Sequence, residues 1–252
     1  MSKRLPSFGV CKLCQQSKEL QQSHIISKFL FREAGLLKQS FPVYCLSKPS
    51  KTERRQDGFK EYLLCRDCEQ QLSLSERYAR HQFYGIDSPF QSFKERGIIW
   101  RGLDYAKMKL FLISLLWRMS LSEHHFFGHV QLGDRHECII RSMLLNSRPM
   151  EPWRYGCHLA RLDYGAEPLG AIFSQPQRFK ESGRTGYRFL LAGLLVIFDV
   201  CSHEPVGDNY VLQSDGSWPI LRLQALSIPF VKEEIDRFRK FHRNTAALSH
   251  YC

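Results

Sequence analysis

The chain has 252 residues, 43% of them hydrophobic and 13% aromatic, which is enough to bury one large core or two modest ones and excludes a largely disordered protein. Its 36 Lys and Arg against 25 Asp and Glu leave a formal charge of +11, so an anionic partner is expected, nucleic acid ahead of an acidic protein or a membrane surface. The most apolar run, residues 189–198, is too short to span a membrane, and Met1 to Pro6 lack the apolar core of a signal peptide, so a cytoplasmic protein with no membrane association is the expectation.

Taken in order, Gly9-Val10-Cys11-Lys12-Leu13-Cys14 has the form of a metal knuckle, and the polar stretch Gln15 to Gln22 is expected to pass through one strand. Residues 25–35 read as a helix that Ser23 or Ser27 could cap and Gly35 ends. Residues 37–58 are basic with few apolar anchors, and 48–58 read as a loop with a turn at Asp57-Gly58. Residues 1–60 carry twelve Lys or Arg against four Asp or Glu, so most of the excess charge lies there. Phe59 to Leu64 alternates as a strand does and runs into Cys65-Arg66-Asp67-Cys68, after which a helix is expected to at least Ala79. Downstream, residues 89–102 read as a loop-rich linker, and 104–119 as a helix too apolar for a surface position. A second helix is expected over 135–145, then four or five antiparallel strands between 153 and 226 with 189–198 as one buried strand, then a terminal helix over 231–243. The fold class is therefore α+β, divided into a cysteine-bearing module at 1–85 and an α+β domain at 86–252 to which the sequence assigns no chemistry.

Nine cysteines in a reducing compartment favour metal binding over disulfides. Cys11 and Cys14 with Cys65 and Cys68 form two C-x-x-C pairs, which read as one tetrahedral Zn²⁺ site because a knuckle at each pair lets both thiolates face the same ion. Four thiolates leave no open coordination position, so this zinc is structural. Cys45, Cys138, Cys157, Cys201 and Cys252 have no pairing logic and read as small core residues or inert thiols.

The order of knuckle, Ser23-His24-Ile25-Ile26, and a strand ending in Leu63-Leu64-Cys65-Arg66-Asp67-Cys68-Glu69 resembles a zinc-containing HNH endonuclease module of the ββα-metal type, over roughly residues 9–80. The resemblance implies that His24 is the general base that activates water against a phosphodiester, a task that suits a neutral imidazole at cellular pH. It also implies a catalytic Mg²⁺ or Mn²⁺, held by an acidic residue before the histidine and by a His or Asn after the second knuckle. Ser23 and Glu69 stand at those two places here. Glu69 is a competent ligand for a hard cation, and Asp57 and Glu61 are the candidates to replace the missing acid, with Glu76 behind them. Lys48, Lys51, Arg54, Arg55 and Lys60, near Tyr44 and Phe59, are expected to follow a phosphate backbone, DNA before RNA. Modules of this kind joined to an unfamiliar domain resemble effectors of bacterial antiphage defence, which implies restraint by a regulatory protein partner or a signal.

Two other readings stand beside the catalytic one. Ser23 and the absent helix histidine fit a degenerate zinc module that binds nucleic acid or docks a partner protein, in which His24 only packs against the knuckle and Glu69 and Glu76 are surface carboxylates near a helix N-terminus. A structural subunit that docks through the apolar helix at 104–119 is the third. His124, His125 and His129 have no acidic or cysteine partner at ligand spacing and read as surface or packing residues.

Overall fold

The computed structural model describes residues 7–33, 41–43, 53–55, 57–86, 88, 97–165, 167–169, 172–181, 184–200 and 210–248. Lys48, Lys51, Tyr44, Cys45, Cys201 and Cys252 lie outside them, and of Arg54 and Arg55 only the backbone is described. The architecture is α+β, with a small antiparallel sheet at the N-terminus and a larger mixed sheet after the helices.

β1 (Ser7–Val10) and β2 (Ser17–His24) form a hairpin around the first knuckle, and α1 (Lys28–Glu33) follows. β3 (Phe41–Val43) pairs antiparallel with β4 (Glu53–Arg55), so part of the stretch expected to be loop is a short ribbon. β5 (Lys60–Cys65) pairs antiparallel with β2, His24 lying opposite Lys60, and runs directly into α2 (Arg66–Tyr84). The result is a strand–strand–helix unit. The Ser27 hydroxyl engages α2 and α3, donating to Glu76 at 2.9 Å and accepting from Arg118 Nη2 at 3.4 Å.

β6 (Gly97–Trp100) replaces much of the expected linker and forms an edge of the large sheet. α3 (Tyr105–Leu121) is capped by Asp104, whose carboxylate accepts from the Lys107 amide at 3.0 Å. Every residue of α3 from Met108 to Met119 is buried. This helix is the centre of the chain's own core, so it presents no free apolar face and the docking-helix expectation does not hold. α4 (Gly133–Leu145) packs beside it.

The large sheet adds β7 (Cys157–Tyr164), β8 (Glu167–Pro168), β9 (Gln177–Glu181), β10 (Arg184–Leu191), β11 (Leu194–Asp199) and β12 (Trp218–Gln224), in the order β6-β12-β7-β11-β10-β9 with β8 beside β7. Two corrections follow. The sheet is mixed, because β12 runs parallel to β7. The run 189–198 is two strands, β10 and β11, joined at Ala192-Gly193 where φ is 56° and 79°. Positive φ at both central residues suits the right-handed twist of a tight hairpin. The apolar pattern hides this turn because both faces of the sheet are covered. Phe189, Val196 and Phe198 face the main core, while Leu190 and Leu195 pack with Phe230, Val231 and Ile235 of α5 (Pro229–Leu248).

One buried cluster runs from Cys11, Ile25 and Leu64 through α3 to Phe189 and Trp218, across the 85/86 boundary. Phe59, just before β5, anchors the crossing. Its ring stacks on Phe126 at 4.9 Å and 25°, meets Phe127 edge-on at 4.9 Å, and lies 6.0 Å from Phe173 of the sheet half.

Candidate metal centre and the His24 site

The first knuckle is built by local hydrogen bonds. The Gln15 amide donates to the Cys11 carbonyl and the Cys11 amide to the Gln16 carbonyl, both at 2.9 Å, and Gln15 takes a left-handed φ of 59° to turn the chain. Cys65 closes β5 and sits at the N-cap of α2, which puts Cys68 in that helix's first turn. The four sulfurs lie within 4.8 Å of one another, and Cys14 Sγ is 3.9 Å from Cys65 Sγ. A tetrahedral ion with Zn–S bonds of about 2.3 Å sets its sulfurs roughly 3.8 Å apart, so the cluster can hold a metal such as zinc.

The electrostatics agree. Burial opposes ionisation of Cys11, but the Cys65 amide donating to its sulfur at 3.3 Å, with the Cys14 and Leu13 amides, outweighs it and brings the thiol down to about 7. Burial pushes the Cys14 and Cys68 thiols up. Thiolates held this close repel one another, and a bound metal would supply the cation that offsets their charge. Among the described residues this is the one group of three or more His, Cys, Asp or Glu side chains close enough to share a metal.

His24 ends β2 some distance from that cluster, opposite Lys60 at the far end of β5. Its ring is half-buried, and Nε2 is fully buried with no hydrogen-bond partner. Burial and the Lys60 ammonium hold the imidazole below its ordinary value of 6.5, against weaker pulls from Asp57 and Glu76. The backbone around it is fixed: the Ile25 amide donates to the Phe59 carbonyl at 2.9 Å, and Arg118 Nη1 donates to the His24 carbonyl at 2.8 Å.

The acidic residues singled out in the sequence are dispersed. Asp57 lies by His24 but is paired with Lys28 at 2.6 Å and with Lys60, and these two cations lower its carboxyl to about 2. Glu61 accepts from the Ser122 hydroxyl, the Glu123 amide at 3.0 Å and the His124 amide at 3.4 Å, and so holds the turn after α3. Glu69 has a buried Oε1 with no partner. It stands two turns before Glu76, about 10 Å along the helix axis, toward the cysteine end. Glu76 reaches the His24 end instead, where Arg118 Nη2 donates to it at 2.6 Å. The carboxylates beside His24 are thus engaged by protein cations, and these residues do not by themselves fit a cage for Mg²⁺ or Mn²⁺.

Sequence reasoning passed over Arg118, gave Ser27 only a helix-capping role and ranked Glu76 low. The available signal was Arg118 itself, a charge inside the apolar run of α3 that had to find a buried partner. His124 stacks on His125 at 4.3 Å and meets Phe59 edge-on at 5.0 Å, a packing role; Cys138 is exposed and Cys157 buried, with burial pushing its thiol up.

No family model, no curated protein and no solved structure matches this chain. No described helix is long and apolar enough to cross a membrane.

Proposed function

We propose that this chain is an HNH-type endonuclease that hydrolyses phosphodiester bonds of nucleic acid, DNA first, with Cys11, Cys14, Cys65 and Cys68 holding a structural Zn²⁺ and antiphage defence as its setting. The observation that carries the reading is His24: an imidazole kept neutral by burial, with an unpartnered Nε2, at the end of a strand whose antiparallel neighbour leads into a helix. A buried ring nitrogen left without a protein partner suits a water or substrate group as its partner. In this role His24 takes the proton of the attacking water as its oxygen bonds to phosphorus and the bond to the leaving oxygen breaks. Lys28 and Lys60 bring positive charge to the same corner, where a phosphate is expected. No step is assigned to a divalent ion, because the carboxylates beside His24 are engaged by protein cations.

The engaged state of Asp57, Glu61 and Glu76 favours a second reading, a zinc module that binds nucleic acid without cutting it. Cleavage of plasmid and oligonucleotide with Mg²⁺ or Mn²⁺ decides between them. The nuclease reading expects wild-type cleavage and its loss in His24→Ala. Equal, salt-sensitive binding by both proteins with no cleavage by either would leave the binding module standing.

A further inference from the structure

Arg118 is the buried charge that the fold must explain. It is 2% exposed, and its guanidinium makes five contacts: Nε to the Ser114 carbonyl at 3.3 Å, Nη1 to the His24 carbonyl at 2.8 Å, and Nη2 to Glu76 Oε1 at 2.6 Å, Ser27 Oγ at 3.4 Å and Ser114 Oγ at 3.3 Å. Ser27 closes the ring by donating to the same Glu76 oxygen at 2.9 Å. These contacts join the end of β2, the entry to α1, the middle of α2 and the end of α3. A buried guanidinium needs acceptors for its N–H groups, and Nη1 finds one on the main chain at the end of β2. The Nη1 bond joins one arm of a planar fork to the main chain of His24 and, with the Ile25–Phe59 hydrogen bond, fixes where the strand end, and hence the ring, stands.

We propose that Arg118, supported by Glu76 and Ser27, is a positioning residue for the His24 imidazole, so that the sheet-bearing half of the chain sets the geometry of the N-terminal site. As far as it concerns rate, this rests on His24 being the base of the nuclease proposed above; as far as it concerns the ring's environment, it does not. Lysine can keep the charge opposite Glu76, but a single ammonium cannot reproduce the fork that spans a carboxylate and a carbonyl.

The test compares wild type, Arg118→Lys and the paired variant Arg118→Met/Glu76→Gln, which removes both charges together so that neither is left buried alone. Each is checked for bound zinc and thermal unfolding. The imidazole signals are then recorded by NMR in histidine-labelled protein, with the His24 signal identified by its absence in His24→Gln. The expected result is zinc-loaded, folded variants in which the His24 signal shifts or splits while the other histidines stay in place. In the nuclease assay kcat falls by about a hundredfold with KM nearly unchanged, as a displacement of order 1 Å predicts. If both variants fold and leave the His24 signal unmoved, or if Arg118→Lys restores the wild-type signal, the positioning role is overturned. If the signal moves and wild type cuts nothing, the positioning role stands and the nuclease reading falls. Should the paired variant not fold, Arg118→Lys and Ser27→Ala, which leaves the ion pair intact, carry the same comparison.

Discussion

The two halves of the molecule treat buried ionisable groups in different ways. In the sheet half they are closed into pairs: Asp163 with Arg222 at 2.5 Å, Asp199 with His158 at 2.9 Å, and Glu234 with Gln177 at 2.7 Å. Where a charged group there leaves one buried atom without a hydrogen bond, as Asp163, Arg154 and Arg188 do, another atom of the same group is bonded. In the N-terminal unit Ser23 Oγ, His24 Nε2 and Glu69 Oε1 are buried, and none of these side chains has any hydrogen-bond partner among the described residues. A buried polar group without a partner costs about 1–3 kcal/mol, and the sheet half bears that cost at Trp218 Nε1 while the smaller N-terminal unit bears it at three side chains. A metal held by the four clustered thiols would contribute folding free energy directly and offset that cost.

The comparison breaks most sharply at the staple. Cys65→Ser should lose the bound metal and unfold the N-terminal unit, measured by metal analysis with circular dichroism; a variant that folds normally without metal would remove the staple from the account. Because one cluster of buried residues crosses both halves, the sheet half should soften in the same transition. Phe59→Ala addresses that coupling. The ring is 1% exposed and touches aromatic residues of both halves, so its loss should cost about 3–5 kcal/mol and lower one cooperative melting transition. Two separated transitions would show that the halves fold apart.

A smaller effect concerns pH. The folded pKa of His24 lies below 6.5, so as pH falls through 6.5 the unfolded chain takes up a proton before the folded one does. The stability His24 contributes is therefore complete above 6.5 and is lost on acidification toward its folded pKa. Denaturant melts across that window should show a slope that His24→Gln flattens. The smallest effect is Asp57→Asn. Its two ion pairs, with a carboxylate 47% exposed, should be worth about 0.2–1 kcal/mol in all. That contribution is present above 3.8 and fades as pH falls toward about 2, so wild type and variant should converge in acid melts.

Much of the fold was legible. The two C-x-x-C pairs, the strand running into the second pair, the apolar helix and the charged terminal helix all stand near their expected places because each rests on a local signal, either ligand spacing or side-chain period. The misreadings share one cause. β6, the Ala192-Gly193 hairpin and the parallel β12–β7 pair depend on which strand lies beside which, and the period of a single segment carries no such information.

At the candidate site the same division holds. The cysteine cluster was readable from spacing, because a tetrahedral ion sets the same geometry wherever four thiolates meet it. The surroundings of His24 were not. Asp57, Glu61 and Glu69 all lie close to the second knuckle in sequence, yet tertiary contacts commit Asp57 to Lys28 and Lys60 and Glu61 to the turn at 122–124, and leave Glu69 nearer the cysteines. Glu76 was brought to His24 by the turn of α2, and Arg118 came from 94 residues away along the chain. Sequence alone determined the staple and the residue types available beside it. Only the packing of α3 against the N-terminal unit decided which charges face the histidine, because those partners are set by long-range burial and no local pattern encodes it.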